Sequence, residues 1–520
     1  MIKTLGGLDA LFLHLESEAM PLHVGSLHVY ELPPGARGDV LSRTRKHLAQ
    51  RLHLSPVFTR KLAPTPLKLS NPAWIDDPDV DLEYHVRRVT LPAPGSRREL
   101  EQCAAKLHSR MMDRSRPLWE FYVIEGLDAP GKIGFYSKVH HAAIDGKAGV
   151  VMAQAILDLA PEGRRIAPPS DEPAHEEPGT GELLRVALAS QVAHSRKLIS
   201  LLPAMLKAGG AAAGEAITTR LKPARKAAAD HPRNESGLFG FGPRTRFNTT
   251  INGERGFATA EVTIADLKSI AGALGGTIND VVLALCSGAL RHYLAELREL
   301  PDEPLVAFVP VSLRQEGDTE QNTQATMFRV PLGTHIADPR ARYRAVLDAS
   351  AEMKQAVARL KSVVPTDFPS VGLPWLLPGL ASLYGRSHVA DVMRPPANLV
   401  ISNVPGPRIP LYLAGSRMLT YWPVSAVAHG MGLNITVESY VDTLYFGIVA
   451  CCKAMPNAER LADLVRAAHA ELMGLARAAA APDAVAKGTS KAASRGAPKS
   501  APPATAGNQA RRTPRARPSR

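Results

Sequence analysis

A short motif between a strand and a helix constrains the fold of this chain more than any other feature. The apolar, β-prone run from Ile133 to Val139 is followed by HHAAIDG at residues 140–146, and then by a helix-like run from Val150 to Leu159. This pattern predicts a pair of histidines at the point where a strand gives way to a turn and a helix. A rigid strand end can hold such side chains in a cleft that loops leave open.

The histidine pair has the chemistry that acyl transfer requires. A neutral imidazole can take a proton from a hydroxyl group that attacks a carbonyl, and then return that proton to the leaving group. We interpret His141 as this base and keep His140 as the second candidate. If both continue the strand, their side chains point to opposite faces, so only one of them can face the substrate. Asp145 and Gly146 are predicted to stiffen the loop that carries the base. The alternative is a chance pairing of two of the 17 histidines beside a turn.

The string HHAAIDG matches the HHxxxDG motif of the acyl-CoA-dependent acyltransferase superfamily, which includes chloramphenicol acetyltransferase, carnitine acyltransferases and peptide-synthetase condensation domains. From about residue 5 to residue 478 the chain resembles one family in it, the bacterial wax ester synthase/diacylglycerol acyltransferases. The other matching stretches are LDALFLHLESEAMPLHVGSL (8–27), PLWEFYVIEGL (117–127), NDVVLA (279–284), VPVSLR (309–314) and SNVPGP (402–407).

The resemblance implies an α/β fold of two chloramphenicol-acetyltransferase-like sandwich domains with the active-site tunnel between them. We predict an N-terminal acyltransferase domain at 1–160, which carries the motif, and a C-terminal acyltransferase-like domain at 243–480. Pro, Ala, Gly and charged residues dominate 161–242, which we interpret as a linker with an amphipathic helix. Apolar side chains are sparse in 481–520, which predicts a disordered basic tail.

The pair Asn279-Asp280 has two interpretations. In the family the equivalent pair is linked to activity, and an Asn amide is suited to donate to a tetrahedral oxyanion. In the structural interpretation Thr277 or Asn279 caps a long helix, and Asp280 in its first turn offsets the helix dipole.

Two further residues are predicted to support the site. Arg314 is expected to pair with Asp145 and tie the two domains together, as a charge pair does in relatives of the superfamily; a solvated Arg at a strand end is the alternative. Asn403 lies in the SNVPGP turn, which the resemblance places beside the catalytic tunnel.

The resemblance also implies the reaction. The expected enzyme is an O-acyltransferase that moves a long-chain acyl group from acyl-CoA to diacylglycerol, to a fatty alcohol, or to both. It would need no metal, and no cofactor apart from acyl-CoA as co-substrate. Two alternatives stay open: a related HHxxxDG acyltransferase with another hydroxyl acceptor, and a non-catalytic protein that binds a lipid surface or nucleic acid.

The formal charge of +13 is concentrated in the tail. Residues 481–520 contain nine Lys and Arg against Asp483, so they carry +8 and leave the body mildly basic. That body suits an anionic lipid surface or CoA phosphates, and we expect no specific nucleic-acid partner. The first residues lack a signal-peptide pattern, and four prolines break the apolar run from Val363 to Tyr384. We therefore expect a cytoplasmic enzyme associated peripherally with the inner membrane or with lipid inclusions.

Overall fold

Two large β-sheets, each covered by helices, form most of the described chain in this computed structural model. The structure describes residues 3–36, 38–66, 70–144, 146–169, 178–192, 196, 240–312, 325–361 and 388–480. Its α-helices are α1 (Gly7–Leu15), α2 (Val40–Ala49), α3 (Pro56–Thr59), α4 (Leu82–His85), α5 (Arg97–His108), α6 (Gly146–Ile156), α7 (Ile264–Leu274), α8 (Ile278–Glu296), α9 (Pro339–Lys361) and α10 (Ala458–Ala480). Its strands are β1 (Lys3–Thr4), β2 (His23–Glu31), β3 (Arg60–Ala63), β4 (Ala73–Asp76), β5 (Val86–Thr90), β6 (Trp119–Glu125), β7 (Lys132–His140), β8 (Arg255–Thr263), β9 (Val306–Ser312), β10 (Ala325–Pro331), β11 (Leu399–Val404), β12 (Tyr412–Leu413), β13 (Ser416–Met418), β14 (Trp422–Val424), β15 (Leu433–Tyr440) and β16 (Thr443–Cys451).

The first sheet places β7, the strand of the histidine motif, at its centre. Its order is β12-β13-β2-β7-β6-β5, and β14 also pairs with β2. Both neighbours of β7 run antiparallel to it, so that His23 on β2 lies opposite His140. Helix α5 packs on the sheet and begins with a capping box between Ser96 and Glu99. The motif strand is therefore held from both sides by hydrogen bonds.

The C-terminal half of the chain completes this N-terminal sheet. Strands β13 and β14 both pair with β2, and β12 pairs with β13. The seam where β14 meets β16 is tight, because a Cβ added to Gly447 would lie 1.7 Å from the carbonyl oxygen of Pro423. One apolar core accordingly contains residues from both halves, for example Phe135 and Tyr445.

The second sheet has the order β10-β9-β11-β15-β16-β8 and packs against α7–α10. Helix α8 is its central buried helix. Thr277 caps α8, and its side chain and the Asp280 carboxylate form a capping box. The structure thus selects Thr277 over Asn279 as the cap.

The predicted α/β class with two sheet-containing domains is confirmed, and most predicted elements agree with the structure within a few residues. The run EYHVRRVTL at Glu83–Leu91 predicts a strand, which is in part wrong, because α4 occupies its first turn and β5 begins at Val86. Pro64, Pro66, Pro72 and Pro78 predict an extended and looped chain, and in this part of the structure β3 and β4 form an antiparallel pair. Of the predicted linker helix, residues 180–192 are helical. The basic tail lies outside the described residues, and the domain boundaries stay a prediction.

None of the described helices alone has the length and apolarity to cross a bilayer. Helices α7 and α8 reach that length and composition only as a pair, with a bend of 94° between them.

Candidate active site

The histidine motif lies at the end of a strand, where it was predicted. Strand β7 ends at His140, His141–Ala143 form one 3₁₀ turn, and α6 begins at Gly146. The His140 N–H donates to the Leu118 carbonyl at 3.0 Å, and the His141 N–H donates to the Leu22 carbonyl at 3.0 Å. Main-chain hydrogen bonds from two neighbouring segments thus fix the backbone of both histidines.

Both ring nitrogens of His140 face protein groups. Its side chain is fully buried, and Nδ1 accepts a hydrogen bond of 3.0 Å from the Ala142 N–H. Nε2 therefore carries a proton, and it lies 3.2 Å from Glu16 Oε1 although its N–H is not aligned for a hydrogen bond. This arrangement fixes the turn that carries the next histidine.

Glu16 is held as a carboxylate at this buried position. Burial alone would raise its pKa, but His140, the Arg114 guanidinium and the Leu22 N–H together lower the pKa to about 2. Arg114 Nη2 lies 2.6 Å from Oε2, and the Leu22 N–H lies 3.1 Å from Oε1. One carboxylate thus links α1, the approach to β2 and the histidine motif.

His141 is a neutral imidazole in an apolar setting. Its ring stacks on Phe12, with ring centroids 3.8 Å apart and an angle of 16° between the ring planes. Burial lowers the pKa of His141 to about 4, although the main-chain carbonyl of the same residue favours the charged form. Nδ1 is buried and has no hydrogen-bond partner among the described residues. At neutral pH this side chain can accept a proton without first losing one.

Two of the predicted site residues, Asp145 and Arg314, lie outside the described residues, so their pairing with each other stays a prediction. Gly146 is described only as the first residue of α6.

The structure joins Asn279 to Asn403. The Asn403 amide Nδ2 donates to Asn279 Oδ1 at 3.2 Å, at the start of α8 and the end of β11. Because the oxygen of Asn279 is engaged, its NH₂ group is the end left to donate to a substrate. None of the contacts among the described residues joins Asn279 to His141, so its role as an oxyanion donor stays a prediction.

Asp280 has a complete structural role. It accepts hydrogen bonds of 2.8 Å from both the main-chain N–H and the hydroxyl of Thr277, and it binds Ser350 and Lys354 on α9. Burial would raise the pKa of Asp280, but these partners lower it. The carboxylate therefore starts α8 and fixes it to α9.

Sequence reasoning missed the contacts of Phe12 and Glu16 with the two histidines. Both lie in the matching stretch 8–27, and their spacing of four residues places them near each other on a helical turn. The Trp119 side chain is fully buried, and its indole N–H donates to the Phe58 carbonyl at 3.1 Å. No group of three or more His, Cys, Asp or Glu residues suited to hold a metal occurs in the described part of the chain.

Comparison with known proteins decides the family. Residues 5–282 match the model of the wax ester synthase/diacylglycerol acyltransferase catalytic domain, and residues 322–473 match that of the WS/DGAT C-terminal domain. The chain belongs to the wax ester synthase/diacylglycerol acyltransferase family. The predicted family is thus confirmed, and with it the class of the enzyme, an acyltransferase.

Curated relatives of this family cover most of the chain. A putative diacylglycerol O-acyltransferase of Mycobacterium tuberculosis is 37% identical over 473 residues, which are 89% of this chain and 98% of that protein. The O-acyltransferase WSD of Acinetobacter baylyi is 33% identical over 468 residues, which are 88% and 94% of the two chains.

Solved structures show the same fold. The wax ester synthase/diacylglycerol acyltransferase of Marinobacter aquaeolei VT8 superposes with a TM-score of 0.64 at 29% identity, over 91% of this chain and 100% of that one. The first condensation domain of the calcium-dependent antibiotic synthetase reaches a TM-score of 0.52 at 14% identity, over 92% and 97% of the two chains, and so supports the fold alone.

Proposed function

We propose that this acyltransferase moves a long-chain acyl group from acyl-CoA to the hydroxyl group of diacylglycerol, of a long-chain alcohol, or of both. His141 is the general base in this proposal. The products are triacylglycerol or wax esters together with free CoA. The names of the curated relatives and the family models support this choice of acceptors.

The proposed chemistry proceeds without an acyl-enzyme. His141 removes the proton of the acceptor hydroxyl as its oxygen attacks the thioester carbonyl. The tetrahedral intermediate carries a negative oxygen, to which Asn279 or a main-chain N–H donates. When the intermediate collapses, the carbon–sulfur bond breaks and the CoA thiolate takes the proton back from His141.

The state of His141 is the observation that carries this proposal. The His141 imidazole stays neutral down to well below pH 7, whereas the neighbouring His140 binds the Ala142 N–H with Nδ1 and faces the Glu16 carboxylate with Nε2. Of the pair, His141 is therefore the one whose ring can exchange a proton with a substrate. Stacking on Phe12 restricts the plane in which it does so.

The test measures free CoA released from palmitoyl-CoA in the presence of hexadecanol or of 1,2-dioleoylglycerol. We expect acceptor-dependent release that falls by ~100-fold or more in His141→Ala. His53→Ala is the matched control, because His53 is an exposed histidine of the same half of the chain. Full activity in a folded His141→Ala variant would refute the role of the base.

Deletion of residues 481–520 separates the enzyme from a protein that binds through its basic tail. The acyltransferase should keep its activity after the deletion. If neither acceptor supports CoA release and the deletion removes a salt-sensitive binding to anionic vesicles or nucleic acid, the binding alternative replaces this proposal.

We also propose that the enzyme associates peripherally with lipid surfaces. Phe241, Val392 and Met393 expose apolar side chains, with 75% of Val392 accessible. The Gly242 N–H binds the Pro395 carbonyl, which brings the two segments together. Co-sedimentation with phosphatidylcholine/phosphatidylglycerol vesicles should fall when these three residues are changed to Ser, whereas unchanged sedimentation would assign the contact to another surface.

A further inference from the structure

Glu438 carries a carboxyl group on the side of the second sheet that faces the first sheet. Along β15, Ile435 and Val437 point into the C-terminal core, and the residues that alternate with them point the other way. On that other face, the Thr436 hydroxyl lies 2.7 Å from the hydroxyl of Ser425, which directly follows β14, a strand of the first sheet. Glu438 is thus placed between the two sheets.

Polar side chains of the first sheet and of Tyr421 form a row of contacts that begins at the Glu438 carboxyl group. The Tyr421 hydroxyl faces both Glu438 and Ser26. Ser26 Oγ lies 2.7 Å from His28 Nε2 and 2.7 Å from Ser137 Oγ. His28 Nδ1 donates to a main-chain carbonyl, so its Nε2 accepts from Ser26.

This row of side chains ends on the strand of the catalytic motif. Ser137 lies in β7, four residues before His141, which is about 13 Å along an extended strand. By strand alternation it projects from the face opposite to His140. The row therefore connects the strand of the proposed base with Glu438.

Glu438 is uncharged at neutral pH. Burial raises its pKa to about 8, and the Tyr421 hydroxyl offsets only part of that effect. Among the described residues it forms no ion pair. The titratable side chains around Glu438 are His28, Tyr30, Tyr421, Tyr440 and Tyr445. Burial keeps them neutral, because it raises the pKa values of the tyrosines and lowers the pKa of the histidine. On β8, the neighbour of Tyr445 is Glu261, which is paired with Arg97.

Glu438 is not fully enclosed. The residue is partly exposed, whereas Ser26, His28 and Tyr440 are buried. The SNVPGP turn packs against it, since a Cβ added to Gly406 would lie 3.2 Å from Glu438 Cγ. A neutral carboxyl group can donate one hydrogen bond and accept others, so this group has capacity for a further hydrogen-bond partner.

We propose that Glu438 recognises an oxygen atom of the acceptor lipid other than the reacting hydroxyl, and so favours acceptors that carry such an oxygen over plain alcohols. This inference rests on the proposed function. The oxygen belongs to a glycerol ester or to a second hydroxyl group on the chain. In either case its partner is an uncharged acid surrounded by aromatic side chains.

The surroundings of Glu438 fit an acceptor better than CoA. The phosphates of CoA are anions, and their recognition calls for Arg, Lys or a helix N-terminus. No cation forms an ion pair with Glu438 within the described residues, and its aromatic neighbours suit a neutral lipid. A site with a buried hydrogen-bonding group also disfavours a ligand that leaves this group without a partner.

The experiment compares acceptors that differ by one oxygen. Values of kcat/KM are measured with palmitoyl-CoA for 1-alkanols and the matching α,ω-diols of eight to sixteen carbons, and for 1,2-dioleoylglycerol. The variants are Glu438→Leu, which removes the hydrogen bonds, and Glu438→Gln, which keeps a donor and an acceptor. Glu31→Leu is the matched control, because Glu31 is an exposed glutamate at the end of β2.

We expect Glu438→Leu to lose about tenfold or more for the acceptors with a second oxygen and to change by less than about threefold for plain alkanols. Glu438→Gln should keep the wild-type preference. A preference confined to diols of one length assigns the oxygen to the chain, and a preference confined to dioleoylglycerol assigns it to the ester. If Glu438→Leu does not fold, the pH dependence of the wild-type enzyme tests the inference. Above pH 8 the Glu438 carboxylate can no longer donate a hydrogen bond to an ester, so the wild-type preference for dioleoylglycerol should fall. Glu438→Gln should keep its preference over the same pH range.

Three results overturn the inference. An equal loss for all acceptors assigns Glu438 to packing, and a change confined to the KM of palmitoyl-CoA assigns it to the donor. An unchanged preference in a folded Glu438→Leu variant removes it from recognition. By contrast, a wild-type enzyme that acylates none of these acceptors refutes the proposed function itself, and this inference falls with it.

Discussion

Replacing Glu16 by Gln tests the buried link between the first helix and the histidine motif. The side chain is 1% exposed, and the pKa of its carboxyl falls from the ordinary 4.5 to about 2 in the folded state. At about 1.4 kcal/mol for each pH unit, this difference corresponds to roughly 3 kcal/mol of stability at neutral pH. Glu16→Gln should lower the free energy of unfolding by up to that amount, because the amide cannot form the ion pair with Arg114.

The sign of the pH dependence follows from the lowered pKa. The contribution of Glu16 is complete above its unfolded-state value of 4.5 and is lost as the pH falls toward about 2. The stability difference between wild type and Glu16→Gln should therefore be about 1.4 kcal/mol smaller at pH 3.5 than at pH 7. Urea titrations followed by tryptophan fluorescence measure it at each pH.

Glu18→Gln is the matched control for this experiment. Glu18 is an exposed carboxyl group two residues away, and its replacement should change stability by less than about 0.5 kcal/mol at either pH. Equal stabilities of Glu16→Gln and wild type at pH 7 would refute the reasoning. So would a difference between them that is the same at pH 7 and at pH 3.5.

Three further predictions concern the base and the framework around it. With a pKa of about 4, His141 should stay about 97% neutral at pH 5.5, against about 9% for an ordinary histidine, so kcat/KM should keep nearly its full value there. Asp280→Ala removes the capping box at the start of α8 and should lower the free energy of unfolding by about 1–3 kcal/mol, measured by thermal unfolding. The control is Glu296→Ala at the other end of that helix, where Glu296 forms an exposed ion pair with Arg460. It should lower the free energy of unfolding by less than about 1 kcal/mol. Gly447→Ala drives a methyl group into a main-chain carbonyl and should lower stability by about 1–3 kcal/mol or more, whereas Gly256→Ala on the neighbouring strand meets its nearest atom at 3.6 Å and should be tolerated.

Each of these predictions has a clear contrary outcome. An acid limb of kcat/KM with a midpoint near pH 6.5 would show that the ring of the base is solvated. Equal losses in the two helix variants would mean that the capping box contributes no more than a surface ion pair. If the two glycine variants unfold at the same temperature, the seam between the sheets is not tight.

Local sequence patterns predicted the elements that bury one continuous apolar face. The run Ile133 to Val139, bounded by turn residues, identified β7, and Thr277 with Asp280 identified the start of α8. The antiparallel pair β3 and β4 was missed because both strands are short and the chain between and after them contains Pro64, Pro66, Pro72 and Pro78, which indicate a loop.

Contacts across long sequence separations could not be predicted in the same way. His141 was assigned from its motif, but its stacking on Phe12 joins residues 129 positions apart and leaves no periodic signal. The choice between the two histidines rested on strand alternation, yet the structure distinguishes them by their partners, since His140 faces Glu16. The polar neighbours of Glu438 come from three separate segments, which no local pattern connects.

The strands that residues 412–424 add to the first sheet limit how this chain can be divided. A fragment that stops at residue 282, where the catalytic-domain match ends, would be cut inside α8 and would leave one edge of β2 without its partners. Such an edge pairs readily with other chains, so we expect the isolated fragment to aggregate. We therefore expect the two matched segments not to fold independently of each other. Expression designs should keep both halves of the chain together, because the first sheet is complete only when residues 412–424 are present.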